Sequence, residues 1–358
     1  MCASMTSVIS IIFGGCCGSV ATLETLIKDK STFDQNTNIG KLVTFCQFIF
    51  ITLMTLPRFI VFTNVQEGKR MWALPRFKPL HVPLRIYIIS VLLFFSSSVG
   101  NNMIFNYNIT IPLHITFRCF STVLTMMTCY LINGKRYTRL QVGSTIFLTI
   151  GALIASLYRD HDFHWKDIYF WHSMEDVGTY DSVFLQGLLI LLASSIMSSL
   201  LSAYNERTYT TYGKHWEENM FYCHLLSIPL FVVSSHEELW NTMSKLVYAS
   251  PKYKIINVPM WDKTFYVSQS LITLVGNLIT QNVCITGVNI LASHTGALTL
   301  SIVLLVRKFL SLLLSVVFFN NKLSQTAYIG ILIVFFGAFL YSLGSTPSTK
   351  PLKNQNTK

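Results

Sequence analysis

Ten apolar stretches, each long enough to cross a lipid bilayer as a helix, follow one another along this chain of 358 residues. A membrane-spanning helix needs about 20 apolar residues, and only helices and closed barrels satisfy their backbone hydrogen bonds in lipid. The composition agrees, because 51% of the residues are hydrophobic and only 12% are charged. The predicted spans, numbered 1 to 10, are 5–27, 39–62, 83–105, 111–132, 138–157, 182–203, 217–236, 264–289, 293–319 and 325–344.

Several other kinds of protein are excluded by the same pattern. The net charge of +11 does not indicate nucleic-acid binding, because the cations are scattered among short loops and form no basic domain. The eight cysteines contain no CxxC pair and lie in or beside the spans, so no disulfide framework is expected. His161 and His164 lack a third ligand at a fixed spacing, so no metal site is expected either. The first span has no basic segment before it, which predicts an uncleaved helix.

The order of the spans predicts an orientation. An even number of spans places both termini on one side of the membrane. The connections on that side carry slightly more Lys and Arg, and far fewer acids, than those on the other side. The positive-inside rule therefore predicts that both termini are cytosolic, and the polar tail 346–358 is predicted to be disordered.

The two halves of the chain resemble each other weakly. Arg118 in span 4 aligns with Arg307 in span 9, and a short turn with a basic residue follows each span. Because five spans separate the two copies, the second half is inserted upside down relative to the first. The prediction is an all-α membrane protein of ten transmembrane helices in two inverted five-helix repeats, about 5–157 and 182–344, within one domain, 1–345. The helix-packing contacts are predicted at Gly143, Gly151, Gly330 and Gly337.

Arg307 and Lys308, in the middle of span 9, are the most costly residues in the membrane. Each costs roughly 2.5 to 3.5 kcal/mol there on insertion scales. The only acid well inside a predicted span is Glu24, so at least two of the buried cations need another anion. A phosphate ligand would supply it, since the planar guanidinium binds two oxygens. The alternative is a structural or snorkelling role, and this is more plausible for Arg118, which lies near the start of its span.

Polar side chains cluster on spans 3 and 8. Asn101 and Asn102 lie on span 3, and Asn277 and Gln281 lie on span 8. Amides within a membrane either hydrogen-bond a neighbouring helix or line a cavity; as a group, they are predicted to line a polar pocket that orients a ligand. His294 opens span 9 and is a further candidate.

Four stretches closely resemble the nucleotide-sugar transporter family. Within it, they resemble the branch that contains fungal UDP-N-acetylglucosamine carriers and animal UDP-xylose/UDP-N-acetylglucosamine carriers. The stretches are PLHITFRCFSTVLTMMTCYLINGKRYT, LLSAYNERTYTTYGKHWEENMFYCHLLSIPLF, GVNILASHTGALTLSIVLLVRKFLSLLLSVVFF and YIGILIVFFGAFLYSLG. The resemblance covers nearly the whole chain and weakens in the loops 63–80 and 237–263 and in the tail.

The resemblance implies the drug/metabolite-transporter fold and a function without cofactors. It implies import of UDP-N-acetylglucosamine, with UDP-xylose as a second substrate, into the lumen of the endoplasmic reticulum or the Golgi in exchange for UMP, to supply cell-wall and glycan synthesis. It leaves a homodimer open. The family's site between spans 3, 4, 7, 8 and 9 matches Asn101, Asn102, Arg118, Arg307 and Lys308.

Two further expectations follow from this comparison with the family. His294 stands where a close fungal relative would have Lys, so its charge would depend on pH. The protein is expected not to be an enzyme, and the alternative function is a polytopic glycosyltransferase using a nucleotide-sugar donor. Such an enzyme needs an acid or metal cluster at the membrane face, for which the acidic loop 160–181 is the candidate.

Overall fold

Helices make up most of the chain. The computed structural model describes residues 5–28, 39–67, 70–103, 111–158, 182–248, 252–258, 263–319 and 323–344. Within these ranges there are ten helices and two β-hairpins. The helices are α1 (Met5–Lys28), α2 (Ile39–Thr55), α3 (Leu84–Met103), α4 (Ile111–Asn133), α5 (Arg139–Leu157), α6 (Ser182–Tyr212), α7 (Trp216–Tyr248), α8 (Gln269–His294), α9 (Ala297–Phe319) and α10 (Gln325–Gly344).

Each helix overlaps one predicted span. Six contain segments that are long and apolar enough to cross a membrane, namely α1, α2, α5, α6, α8 and α10. Shorter apolar segments lie in α3 and α4. The chain is therefore a multi-pass, predominantly helical membrane protein, as the hydropathy pattern predicts.

Two β-hairpins occur where the sequence analysis predicts loops and span ends. Strand β1 (Ile60–Glu67) pairs with β2 (Arg70–Phe77) in an antiparallel register from Ile60–Phe77 to Glu67–Arg70. Strand β3 (Lys252–Val258) pairs with β4 (Lys263–Ser268), with an irregularity between Lys254 and Ile256. All four segments contain β-branched or aromatic residues, which favour strands. Span 2 is shorter than predicted, because a 3-10 turn containing Pro57 follows Thr55 and ends the helix.

Three helices extend beyond their predicted spans. The sixth predicted span ends at 203 and the eighth at 289, whereas α6 continues to Tyr212 and α8 to His294. The seventh predicted span ends at 236, next to a kink at Ser235 (φ −150°, ψ 24°), and a second helical segment of α7 continues from the kink to Tyr248. Helix α7 continues through His224 and Pro229. The hydropathy of the sequence shows where an apolar stretch ends, but a helix can continue beyond that point.

One compact unit comprises Met1–Ser98 and Tyr204–Leu300. Within it, α1 packs along α8, and α2 packs against α7 and α8. Its apolar core includes the buried residues Leu42, Leu246 and Leu274. Glycines allow the close approach of α1 and α8, since a Cβ at Gly15 would lie 2.7 Å from the backbone nitrogen of Cys284.

A disulfide joins Cys16 on α1 to Cys284 on α8, with their Cα atoms 4.8 Å apart. The cysteine pattern predicts no disulfide framework, and it does not predict this single bond either. These two residues are separated by 268 positions, and neither belongs to a recognisable spacing motif. Only the packing of α1 on α8 brings them together.

The other compact unit comprises Val99–Ala203 and Ser301–Lys358. Within it, α5 packs along α10 and against α4. A Cβ at Gly151 would lie 2.6 Å from Ile333, and one at Gly337 would lie 2.9 Å from Leu148. A Cβ at Gly330 would collide with the backbone of Ala155. These three glycines are confirmed as helix-packing positions.

The fourth predicted packing glycine behaves differently. Nothing lies within 4 Å of a Cβ built on Gly143. The prediction that Gly143 is a helix-packing contact is not supported within the described part of the chain. The sequence pattern does not distinguish Gly143 from the three packing glycines. The difference appears only in the contacts that each position makes with a neighbouring helix.

Candidate functional site

Helix α9 presents its two adjacent cations in different environments. Residues Leu298, Ile302, Leu305 and Phe309 form its buried stripe. At 100° per residue, Arg307 lies opposite that stripe, and Lys308 lies about 90° from it. Arg307 is nevertheless partly buried, and its Nε atom is shielded from solvent, whereas Lys308 is exposed. A partly buried guanidinium in the middle of an apolar helix has the chemistry to hold a phosphate.

The acids near the membrane helices are more numerous than the predicted spans suggest. Glu217 accepts a hydrogen bond from Arg58 at 2.7 Å, so this cation is paired. Glu206 and Glu218 are both buried, with exposed fractions of 6% and 5%. Glu206 lies in α6 beyond the predicted end of span 6 at 203, and Glu218 lies in the first turn of α7, so neither contradicts the prediction that Glu24 is the only acid well inside a predicted span. The side chain of Glu24 lies outside the described part of the chain.

Asn277 and Gln281 on α8 hold neighbouring helices together. Asn277 is fully buried, and its Nδ2 group donates to the carbonyl oxygen of Ser19 at 2.8 Å and to the hydroxyl of Thr22 at 3.0 Å. Its Oδ1 accepts a hydrogen bond from Gln47 at 2.7 Å. The carbonyl of Gln281 accepts one from the hydroxyl of Ser19 at 2.8 Å. Both amides thus connect α8 to α1, and Asn277 also connects it to α2. Their part in ligand binding remains a prediction.

The structure gives less information on the other predicted site residues. The prediction that His294 opens span 9 is wrong, because His294 is the exposed last residue of α8 and α9 begins at Ala297. Its Nδ1 lies 3.0 Å from both the Ser293 hydroxyl and the Ile290 carbonyl oxygen. Asn101 and Asn102 lie in the last turn of α3, and Arg118 lies in α4, but their side chains are outside the described part of the chain. Of the predicted residues, the structure therefore brings Asn277 and Gln281 into one network and describes Arg307, Lys308 and His294 separately.

A separate side-chain cluster was missed by the sequence analysis. His81 precedes α3, His215 precedes α7, and Glu218 lies in the first turn of α7; their ligand atoms all lie within 4.8 Å of one another. The only local signal is the spacing of His215 and Glu218, which are three positions apart at a helix start and can face the same side. His81 is more than 130 positions away in the sequence, and no spacing rule connects it to them.

The comparisons with known proteins are consistent along the whole chain. The family model described as the UAA transporter family matches residues 4–345. The UDP-N-acetylglucosamine transporter of Saccharomyces cerevisiae is 51% identical over 342 residues, which cover 94% of this chain and 93% of that protein. The Schizosaccharomyces pombe UDP-N-acetylglucosamine transporter is 34% identical over 98% of this chain and 100% of that protein.

More distant proteins match over similar lengths. The UDP-xylose and UDP-N-acetylglucosamine transporter of Danio rerio is 33% identical over 95% of both chains. A solved crystal structure aligns with a TM-score of 0.59, covering 94% of this chain and 98% of its own, at 14% identity. At that identity, the likeness shows a shared fold and nothing about a ligand.

Proposed function

Because this chain belongs to the UAA transporter family of nucleotide-sugar transporters, we propose that it carries UDP-N-acetylglucosamine across a membrane. The observation that carries the proposal is the 51% identity to a yeast UDP-N-acetylglucosamine transporter over 94% of the chain. The zebrafish relative's name adds UDP-xylose, which we propose as a second substrate. The chain is a transporter and not an enzyme, so the glycosyltransferase alternative is set aside.

The proposed mechanism is exchange for UMP by alternating access. Arg307 and Lys308 would hold the phosphates, and the amides of α3 and α8 would orient the uracil and the sugar. Closing an empty site would bring unneutralised cations into a dehydrated space, which is costly. Either anion would offset that repulsion, so the loaded carrier would return faster than the empty one. This difference is the physical reason to expect obligatory exchange.

The proposal includes an arrangement in the membrane. The ten helices would form two inverted five-helix repeats, with both termini in the cytosol and the substrate imported into the lumen of the endoplasmic reticulum or the Golgi. The family resemblance and the charge distribution of the connecting loops support this orientation. A homodimer is compatible with the proposal and is not required by it.

Counterflow in proteoliposomes tests the proposal. Vesicles preloaded with UMP would be offered labelled UDP-N-acetylglucosamine, UDP-xylose, UDP-galactose and GDP-mannose in parallel. We expect uptake of UDP-N-acetylglucosamine, with UDP-xylose second, and loss of uptake when the internal UMP is omitted. Uptake that does not require internal UMP would reject exchange. Failure of folded protein to take up any UDP-sugar would reject the substrate class.

A further inference from the structure

The cluster of His81, His215 and Glu218 lies within one compact unit of the protein. Helix α7 begins at Trp216, directly after a turn in which Gly213 has a positive φ of 96°. A Cβ at Gly213 would lie 3.3 Å from Nε2 of His215, so the absence of a side chain there leaves room for the imidazole. The two imidazole rings stack with their centroids 4.4 Å apart and their planes 16° apart.

Aromatic side chains near the cluster pack the first turns of α7 against α3 and against the residue that follows the 3-10 turn. Phe221 on α7 stacks on Phe59 at 4.7 Å, and Tyr222 stacks on Tyr87 of α3 at 5.3 Å. Phe221 and Tyr87 are almost completely buried. Because Glu218 is less than one helical turn before Phe221, its carboxylate is held by the same packing, and the cluster does not depend on flexible side chains alone.

Glu218 provides an independent indication of a ligand. Its side chain is only 6% exposed, and its Oε1 accepts a hydrogen bond from the backbone N–H of His81 at 3.0 Å. Its Oε2 is buried and has no hydrogen-bond partner of normal geometry in the described part of the chain. Nδ1 of His81 lies 3.7 Å away, and the buried hydroxyl of Tyr87 is close enough to interact with the carboxylate. A buried carboxylate oxygen is costly unless it is paired or coordinates a metal.

We propose that His81, His215 and Glu218 form a binding site for a divalent cation of the zinc class. Two imidazoles and one carboxylate are a ligand set that zinc uses, with a fourth position left for water or another ligand. The cation would neutralise the buried carboxylate of Glu218 and tie the segment before α3 to the turn between α6 and α7.

The geometry requires a small adjustment for binding. Tetrahedral coordination with bonds of about 2.1 Å places ligand atoms roughly 3.4 Å apart, compared with a spread of up to 4.8 Å in the structure. The side chain of His81 is 61% exposed, so it can rotate from the stack toward Glu218 without disturbing the core. Calcium and magnesium prefer oxygen ligands, so two imidazoles favour zinc over them.

Zinc titration of the full-length, chelator-treated protein in detergent tests the site. Binding would be measured by competition with a chromophoric chelator and by the visible spectrum of added Co²⁺, and we expect one saturable site per chain. His81→Ala and Glu218→Gln should each lower zinc affinity by at least the roughly 10- to 100-fold that the loss of a supporting contact costs a zinc site. His236→Ala is the matched control, because His236 is also exposed and lies 3.9 Å from a carboxylate, that of Glu237.

His161 and His164, which lie outside the residues that the structure describes, provide the competing explanation. A double variant, His161→Ala with His164→Ala, should leave zinc affinity unchanged. Loss of binding in that double variant and not in His81→Ala would overturn the proposal, as would the absence of saturable binding in the wild-type protein. His81 is exposed, so His81→Ala is expected to fold, and circular dichroism would confirm it.

Discussion

Two arginines illustrate how position decides the role of a charge in this protein. Arg58 lies at the end of a helix, and its guanidinium pairs with the partly exposed Glu217 at 2.7 Å. Exposed ion pairs contribute about 0 to 1 kcal/mol, so this pair needs no functional explanation. Arg307 lies in the middle of α9, with its Nε shielded from solvent. The cost of that location makes it the better candidate for a bound anion.

Replacing Arg307 with Ala should abolish UDP-sugar exchange while the protein remains folded. Arg307→Lys should retain only part of the exchange, because an ammonium group cannot bind two phosphate oxygens in the planar manner of a guanidinium. Arg58→Ala is the control and should transport nearly as well as the wild type. The measurement is counterflow at matched protein content, and near-normal exchange by Arg307→Ala would refute the assignment.

Asn277 is expected to be important for stability. Asn277→Ala would leave the side-chain amide of Gln47 without its acceptor, and it would remove one hydrogen bond each from the Ser19 carbonyl and the Thr22 hydroxyl in an apolar environment. Each unsatisfied group costs about 1 to 3 kcal/mol. The variant should therefore unfold several degrees below the wild type in a thermal assay in detergent, whereas Asn241→Ala, at an exposed position of α7, should not. A normal melting temperature combined with weaker UDP-sugar binding would instead assign Asn277 to the ligand.

At the scale of secondary-structure elements, hydropathy predicts the positions of the helices well, but it does not predict the hairpins or the ends of the longer helices. All ten helices overlap apolar stretches, because a helix in lipid must be apolar over its length. Strands β2 and β3, most of β1 and the end of α6 lie beyond the apolar stretches, whereas β4 occupies the predicted start of span 8. Hydropathy carries no signal beyond the stretches, so the buried Glu206 falls in a predicted connection, whereas the buried Glu218 lies at the start of the predicted span 7.

Two glycines of the same compact unit can be compared directly, because Gly330 lies in the interface of α5 and α10 and Gly143 makes no contact there. Gly330→Ala should destabilise the protein by about 1 to 3 kcal/mol, as overpacking typically does, because its methyl group would meet the backbone of α5. Gly143→Ala, also in this unit, should be neutral or stabilising by up to about 1 kcal/mol, since Ala favours a helix over Gly. Thermal unfolding of both variants in the same detergent measures the difference, and equal melting temperatures would contradict the packing role.

At the scale of the whole molecule, each compact unit combines two segments that are far apart in the sequence. Ser19 bonds to Gln281 across 262 positions, and Lys41 pairs with Glu238 across 197 positions. Local patterns cannot predict such contacts, since they depend on which helices become neighbours. The same reason explains why the cations of α9 could be identified from their cost in lipid, whereas the amide network and the cluster of His81, His215 and Glu218 could not.

The disulfide joins positions that are far apart in the sequence, and counting the free thiols before and after reduction tests whether it forms. Cys16–Cys284 links the first helix to the eighth across 268 positions. Two more polymer-linked maleimide groups should therefore attach to denatured protein after reduction than before. A variant with Cys16→Ser and Cys284→Ser should show no such difference. Cutting the chain at a protease site inserted between residues 159 and 181 should also leave the two fragments joined until a reductant is added. If the unreduced wild type binds as many maleimides as the reduced protein, α1 and α8 are held together by packing and the amide network alone.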